Sequence, residues 1–187
     1  SRLRFEIFER LGVLPASADT HVAEFFAGFV TEHSDWGRTW GAHEYGIEGH
    51  RADKASDDAE VIALLATDEI PQWPSGELVA PLLDAIVSGT RRVLPVNLPN
   101  TGQVEDLPKG AIVECMGTVD GKGVKPRDVA RVGGWLGEQL RRIHAAQELT
   151  VDAARTGDAT TVLEAMLVDP AAGALPYEHV VAMTEEM

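Results

Sequence analysis

Two segments with strand-like patterning, set within a largely helical sequence, most constrain what this chain can fold into. Residues Arg92–Leu98 alternate and are rich in β-branched side chains, and Ala111–Val119 form a second run that ends at the turn Asp120–Gly123. Because strands and helices do not alternate regularly along the chain, a complete parallel sheet with crossover helices is not expected. The sequence therefore predicts an α+β fold that is rich in helix and has a small antiparallel sheet.

Periodic apolar residues predict helices over most of the remaining chain. The predicted ranges are 2–11, 19–30, 53–68, 76–88, 128–155, 160–168 and 177–187. Asp19 or Thr20 is expected to cap the second helix and Ser75 the fourth, which Gly89 ends. A break in the fifth is expected near Gly133–Gly134.

The segment between the second and third predicted helices is different. Residues 33–50 contain three histidines, four glycines and two tryptophans with weak periodicity, which predicts an irregular excursion with a short strand near Glu44–Ile47. The helix over 53–68 that follows is expected to turn Val61, Ile62, Leu64 and Leu65 inward.

Composition limits the class of protein and its partners. A length of 187 residues suits a single domain, expected over 1–187. The net charge of −14 argues against a nucleic-acid partner, and no apolar run approaches the roughly 20 residues of a membrane-spanning helix. A single cysteine, Cys115, cannot form an internal disulfide, so a reducing, cytoplasmic location is expected.

Familiar catalytic and phosphate-binding motifs are absent from the sequence. It has no Gly-x-Gly-x-x-Gly between a strand and a helix, no Gly-x-x-x-x-Gly-Lys-Ser/Thr, no Cys-x-x-Cys and no Gly-x-Ser-x-Gly. One set of side chains offers metal-ligand chemistry: His43, His50, Glu44, Glu48 and Asp53. The spacing of its two histidines matches no helical i, i+4 pair, so no metal site is predicted, and a self-standing metallohydrolase is a lesser alternative.

Four phrases occur in order along the chain, His21–Phe26, Val96–Gly102, Val113–Val124 and Gln147–Asp158. Together they resemble the C-terminal half of glycoside hydrolase family 4, the NAD- and metal-dependent glycosidases. The resemblance covers nearly the whole chain and is strongest from Gly76 onward. It implies a fold like that of the C-terminal domains of lactate and malate dehydrogenases.

The resemblance also implies an unusual hydrolysis. In the family, NAD takes a hydride from C3 of the sugar, and a divalent metal such as Mn²⁺ polarises the resulting ketone. A base then removes the C2 proton, the C1 substituent is eliminated, water adds and the hydride returns. The family's NAD-binding Rossmann half and its Cys and His metal ligands lie N-terminal to the position of Ser1. This chain alone is therefore expected to bind neither NAD nor metal and to be inactive.

The catalytic base cannot be assigned by the resemblance. In α-glucosidase-like members an Asp and a Tyr, the proposed base, occupy the positions of Thr20 and Phe25, and a phenylalanine offers no proton acceptor. Tyr45 could supply the base in place of the missing tyrosine. Alternatively, Tyr45 is an ordinary half-buried aromatic residue in a loop. The loss of both family residues favours galacturonate- or glucuronate-like sugars over plain α-glucosides.

Two polar side chains of the second predicted helix are candidate substrate-binding residues. His21 and Glu24 lie one turn apart on one face, and the resemblance favours a sugar pocket in which Glu24 orients His21. The alternative is an intrahelical pair on the surface.

Further candidates lie in other segments. Asn97 and Asn100 bracket a turn and their amides suit sugar hydroxyls, although Asn100 could serve only an Asx-type turn. Arg51 could pair with a carboxylate or phosphate on the sugar, or could be a solvated loop residue. Trp36 and Trp40 could stack on sugar rings or anchor an interface.

The resemblance thus implies the substrate-side half of a glycosidase that hydrolyses O-glycosyl bonds by NAD-assisted oxidation, elimination and water addition. Its expected partners are the sugar, an N-terminal Rossmann half and further copies of itself in a homo-oligomer. The alternative function is a non-catalytic sugar-binding or assembly module that lacks its catalytic partner half.

Overall fold

A computed structural model of the chain describes residues 2–42, 46–67, 76–128 and 130–187. These residues form helices and one three-stranded antiparallel sheet, which confirms the α+β prediction. The helices are α1 (Arg2–Leu11), α2 (Asp19–Phe25), α3 (Ile47–Leu65), α4 (Val79–Ser88), α5 (Gly134–Thr156), α6 (Ala159–Val168) and α7 (Tyr177–Glu186), and the strands are β1 (Arg92–Pro99), β2 (Ile112–Asp120) and β3 (Gly123–Pro126). The chain divides into two compact units, Ser1–Gly76 and Glu77–Met187.

The first unit has a small core between α1 and α2. Leu3 and Ile7 of α1 are separated by one helical turn and lie on the same face, which explains why both are buried. They pack with Val22, Ala23 and Ala42, and the partly buried side chains around them are Phe26, Phe29, Val30 and Trp40.

Helix α2 is shorter than predicted, because it ends at Phe25 rather than near residue 30. The predicted cap is also wrong: Ala18 holds the N-cap position without a side-chain hydrogen bond. Asp19 is buried and is used elsewhere, since its Oδ1 accepts the backbone N–H of Arg4 at 3.2 Å. That N–H lies in the first turn of α1, where backbone N–H groups have no i−4 carbonyl as an acceptor, so Asp19 joins the two helices.

The irregular excursion predicted over residues 33–50 is confirmed up to residue 42, where the chain forms short 3₁₀ turns, Glu32–Ser34 and Arg38–Trp40; it is wrong for residues 47–50, which belong to α3. Of the strand expected near residues 44–47, residues 44 and 45 lie outside the described part of the chain, as does residue 43. The prediction is wrong at Ile47, which begins α3. Helix α3 runs from Ile47 to Leu65 and contains no buried residue. Val61, Ile62 and Leu65 are exposed and Leu64 is half-buried, so the predicted inward stripe is wrong for three of its four residues. Large apolar residues crowd into the last two turns of α3, and the preceding twelve residues offer no continuous apolar face.

The sheet of the second unit has the order β1-β2-β3 with β2 in the centre. In the register of β1 and β2, Val96 lies opposite Cys115 and Asn97 opposite Glu114. Helix α4 covers one face, where Ala85 packs with Val96 and Val119. The third strand was not predicted. The connection after β2 is so tight that Gly123, expected in the turn, already pairs with Asp120.

Helix α4 begins at Val79, three residues later than predicted, and its predicted cap, Ser75, lies outside the described residues. Gly89 ends it in the left-handed conformation, φ 74°, as predicted.

The last three helices pack in sequence. Helices α6 and α7 are confirmed within one residue of their predicted bounds. The predicted start of α5 at residue 128 is wrong, because Gly133, φ 62° and ψ −177°, is its non-helical N-cap. None of the helices in the described ranges is both long and apolar enough to cross a membrane.

Candidate functional site

The outward face of α2 carries the candidate residues of the first unit. Val22 and Ala23 hold this helix on the core, so His21 and Glu24 point away from it, with 63% and 55% of their side chains exposed. His21 Nδ1 lies 3.4 Å from Glu24 Oε2. The predicted pair therefore exists on an accessible surface, and the carboxylate is placed to orient the imidazole.

Phe25 shares this outward face and is 41% exposed, while Thr20 is half-buried. An exposed benzyl group contributes apolar contact but neither donates nor accepts a proton. His21 is thus the titratable group on this face that has a carboxylate partner, and it can donate or accept a proton according to its tautomer. Tyr45, the other candidate base, lies outside the described residues.

Asn100 is buried at the end of β1 and organises the loop that follows. Its Nδ2 donates to the carbonyls of Val104 (2.8 Å) and Leu107 (2.9 Å), and its Oδ1 accepts the N–H groups of Gly102 and Val104, both at 3.1 Å. The bond to Gly102 is the Asx-type turn weighed from the sequence. The amide is engaged with its own loop, and a role for Asn100 in sugar binding stays a prediction.

Asn97 lies on the other face of the sheet. Side chains alternate along β1, so Val96 faces the core beneath α4 and Asn97 faces outward. Glu114 is its neighbour across the strands and is also exposed. Asn97 and Asn100 therefore do not share a surface, and Asn97 with Glu114 forms the polar centre of the open sheet face.

Two further residues of the loop were missed by sequence reasoning. Gln103 is buried; its Nε2 donates to the Pro99 carbonyl at 2.9 Å, and its Oε1 accepts the N–H of Thr101 at 2.7 Å. Asp106 accepts the N–H groups of Gly133 (3.0 Å) and Val132 (2.7 Å). The sequence feature that could have indicated these residues is the regular spacing of Asn100, Gln103 and Asp106 in a loop that is otherwise poor in apolar residues.

Electrostatics at Asp106 follow from this geometry. The backbone hydrogen bonds from Gly133 and Val132, and then the charge of Arg141, lower the pKa of the Asp106 carboxyl. Arg141 Nη1 lies 3.7 Å from Asp106 Oδ1, and the same nitrogen donates to the Asp106 carbonyl at 2.7 Å. The loop after β1 is thereby fixed to the start of α5.

Arg51 and the residues considered for a metal lie near the start of α3. Arg51 is exposed on this helix, and Glu48, His50 and Asp53 lie in the same first turns. His43 and Glu44 lie outside the described residues. Within ranges 2–42, 46–67, 76–128 and 130–187, no three His, Cys, Asp or Glu side chains are grouped closely enough to hold a metal ion.

A dinucleotide does not fit the described residues. Dinucleotides bind where a parallel strand leads through a glycine-rich turn into a helix N-terminus. The described sheet is antiparallel throughout, and the sequence lacks the glycine fingerprint. The residues that the structure describes therefore offer no dinucleotide site of this kind.

Comparison with known sequences gives a consistent assignment. A family described as "Family 4 glycosyl hydrolase C-terminal domain" matches residues 1–172. An alpha-galacturonidase from Bacillus subtilis strain 168 is 30% identical over 170 residues, which cover 90% of this chain and 37% of that protein. An alpha-galactosidase from Rhizobium meliloti strain 1021 is 26% identical over 207 residues, which cover 100% of this chain and 40% of that protein.

Solved structures agree. The Bacillus subtilis protein lplD, described as a glucosidase, superposes with a TM-score of 0.86 at 27% identity, over 99% of this chain and 42% of that one. A 6-phospho-beta glucosidase from Thermotoga maritima, crystallised with manganese, NAD⁺ and glucose-6-phosphate, gives a TM-score of 0.60 at 18% identity over 97% of this chain and 42% of that one, a likeness in fold. The chain spans about two fifths of the length of these proteins.

Proposed function

The chain belongs to the family 4 glycosyl hydrolases as their C-terminal domain, and from that membership we propose that it is the substrate-side half of a glycosidase. The reaction is hydrolysis of an O-glycosyl bond by oxidation, elimination and addition of water, the departure from two-carboxylate catalysis that this family represents. The observation that carries the proposal is the family match over 172 of the residues, joined by the close superposition on lplD.

The cofactor chemistry belongs to a part of the protein other than these residues. NAD supplies reversible oxidation at sugar C3, and Mn²⁺ or another divalent metal supplies a positive charge beside the resulting ketone. Structures of family relatives with NAD and with manganese support this choice of groups. An N-terminal Rossmann half is the partner that would hold them, and the isolated chain is expected to be inactive.

This chain contributes groups that bind and orient the sugar. His21, held by Glu24, is proposed to hydrogen-bond a sugar hydroxyl, and the exposed edge of Phe25 lies on the same face of α2. Asn97, beside Glu114 on the open face of the sheet, is a second proposed contact. Asn100 acts through the loop that it fixes, and Arg51 remains a candidate partner for an anionic substituent.

The proposed substrate is a uronic acid glycoside of the galacturonide type. Four relatives named alpha-galacturonidase support it. Phe25 in place of the tyrosine of α-glucosidase-like members supports it independently.

The proposal includes a homo-oligomer. Ile47, Ile62 and Leu65 of α3 expose 67–80% of their surface, and apolar residues in such number on one helix are typical of a surface that another chain or domain covers.

The test compares two proteins: the product of the complete reading frame that contains these residues, and the chain 1–187 alone. The first is expected to hydrolyse an α-galacturonide only with NAD, Mn²⁺ and a reductant present, and the second is expected to show no turnover. Turnover by the chain alone, or hydrolysis by the complete protein without NAD, would contradict the proposal.

A non-catalytic sugar-binding or assembly module is the second candidate. The observation that favours it is the loss of a proton acceptor at Phe25. It predicts that the complete product binds sugar but never turns it over.

A further inference from the structure

Three consecutive residues of the first unit adopt the left-handed conformation: Asp35 (φ 48°), Trp36 (φ 53°) and Gly37 (φ 88°). Glycine accepts this conformation freely, and aspartate accepts it with little cost. For a bulky tryptophan it is unfavourable, and such strain persists only where the surrounding structure imposes it. The side chain of Trp36 is therefore held in a direction that the local sequence would not choose.

Buried hydrogen bonds impose the conformation. The hydroxyl of Ser34, which is buried, accepts the N–H of Thr31 (2.9 Å) and of Gly37 (3.1 Å) and donates to the carbonyl of Phe29 (2.9 Å). The N–H of Trp36 donates to the Thr31 carbonyl at 2.9 Å. The turn is thus built onto the same core that carries α2.

Gly37 closes the turn against the core. A Cβ at this position would lie 2.6 Å from the carbonyl oxygen of Ala42, a core residue. No larger residue fits there, so the turn has little freedom to reorient Trp36.

The two tryptophans of this segment have opposite environments. Trp40 packs edge-on against Phe29 with ring centroids 5.3 Å apart, and the Arg2 guanidinium lies 5.4 Å from its ring centre. Trp36 is 59% exposed. Trp40 stabilises the core, whereas the strained turn presents the Trp36 indole to solvent.

The residue two positions after Trp36 supplies a charge. Arg38 is exposed, and its guanidinium forms no hydrogen bond or ion pair with any described residue; the Arg2 guanidinium, by contrast, donates to the Thr39 carbonyl at 2.6 Å. Its neighbour Asp35 is also exposed. An aromatic plane among charged, hydrogen-bonding side chains suits a sugar better than an apolar protein surface, which would desolvate those charges without compensation.

We propose that Trp36 and Arg38 form a recognition element for the uronic acid, in which the indole stacks on the C–H face of the pyranose and the guanidinium pairs with its carboxylate. The stacking uses the apolar face of the ring, and the planar guanidinium matches a carboxylate in a two-point contact. The inference rests on the proposed function and assigns its substrate specificity to this turn.

The test uses the chain 1–187 labelled with 5-fluorotryptophan and titrated by ¹⁹F NMR with galacturonate and with galactose, the neutral sugar that lacks the carboxylate. The Trp36 resonance is expected to shift saturably and that of Trp135 to stay in place. Galacturonate is expected to bind at least about tenfold more tightly than galactose, since a charge-assisted contact is worth about that much.

Variants separate the two roles. Arg38→Met is expected to remove the tenfold preference without changing galactose binding, and Trp36→Asn, which tolerates the left-handed backbone, is expected to weaken both sugars. Arg10→Met, on α1 and paired with Glu6, is the matched control and should bind as the parent does. Unchanged melting temperatures show that each variant is folded.

Three results would overturn the inference: no shift at Trp36, equal binding of the two sugars, or loss of the preference in Arg51→Met but not in Arg38→Met. The proposed function is judged separately by NAD-dependent turnover in the complete protein. Turnover without a shift of the Trp36 resonance would support the proposed function and reject the recognition element. A shift of the Trp36 resonance without turnover would support the recognition element and reject the proposed function.

Discussion

The carboxylate of Asp106 accepts the backbone N–H of Gly133 at 3.0 Å, although the two residues are 27 positions apart. The same oxygen accepts the N–H of Val132. These bonds fix the loop after β1 against the residues that lead into α5, and they explain why that helix starts at Gly134 rather than earlier. Several measurable consequences follow for the second unit and for the candidate site.

Replacement of Asp106 by Asn is expected to lower the melting temperature by several degrees near neutral pH, because one acceptor oxygen and its charge are lost. The folded-state pKa of Asp106 is lowered. Its contribution to stability is therefore complete above the unfolded pKa of about 3.9 and is lost as the pH falls through the lower folded-state pKa. Denaturant titrations of parent and variant between pH 7 and pH 2 measure the difference.

Glu105→Gln is the matched control for this prediction. Glu105 is the adjacent carboxylate in sequence and is exposed. Its variant should therefore have the same free energy of unfolding as the parent at each pH. If the difference in the free energy of unfolding between the parent and Asp106→Asn stays constant down to pH 2, the carboxylate of Asp106 is not its cause.

Arg142→Met is expected to destabilise the second unit by about 1.5–3 kcal/mol. The guanidinium of Arg142 donates from Nε to the Val168 carbonyl (2.7 Å) and from Nη2 to the Asp169 carbonyl (3.0 Å), which lie at the C-terminal end of α6. Arg155→Met is the comparison, since Arg155 is 75% exposed and its partner among the described residues is Asp152 on its own helix; its cost should be below about 0.5 kcal/mol. Equal losses in the two variants would refute a special role for Arg142.

Gly117→Ala is expected to cost about 1–3 kcal/mol. A Cβ on Gly117 would overlap Cγ2 of Val96, its neighbour in the buried face of the sheet. The double variant with Val96→Ala removes the clashing methyl, so the combined loss should be smaller than the sum of the single losses. Strict additivity in urea unfolding would show that the overlap is not the cause.

His21→Ala and Glu24→Gln are expected to reduce activity while leaving the fold intact. Both side chains are more than half exposed, so the free energy of unfolding should change by less than about 0.5 kcal/mol. In the complete protein, kcat/KM should fall by about tenfold for His21→Ala, which loses the proposed hydrogen bond to the sugar, and by a smaller factor for Glu24→Gln, which loses the group that orients His21. Glu6→Gln removes the carboxylate of another helical pair, with Arg10 on α1, and should leave kcat/KM unchanged. A surface pair with no contact to substrate would give three variants of equal activity.

Local patterns in the sequence were enough to predict the elements with a continuous apolar repeat. β1, β2, α6 and α7 fall within one residue of expectation, because alternation or helical periodicity in them coincides with burial. Helix α3 shows the limit: its apolar residues are present, but none of them is buried by the described residues of the first unit, and local sequence does not reveal whether a partner exists.

The polar framework of the candidate site was less predictable. Asn100 was identified as a turn residue, but its bonds to Val104 and Leu107 depend on the path of the whole loop. Asp106 was missed because its partners lie on a distant segment. The strained conformation at Trp36 depends on the buried hydroxyl of Ser34, and propensity alone would place tryptophan elsewhere.

The proposed reaction is tested most directly by hydrolysis of an α-galacturonide in D₂O by the complete protein with NAD and Mn²⁺. Elimination removes the C2 proton and water addition restores one from the solvent, so the released sugar should carry deuterium at C2. Product incubated with the protein without NAD controls for later exchange. A released sugar that keeps its original hydrogen at C2 would mean that the bond is broken without oxidation and elimination, and would contradict the proposed function.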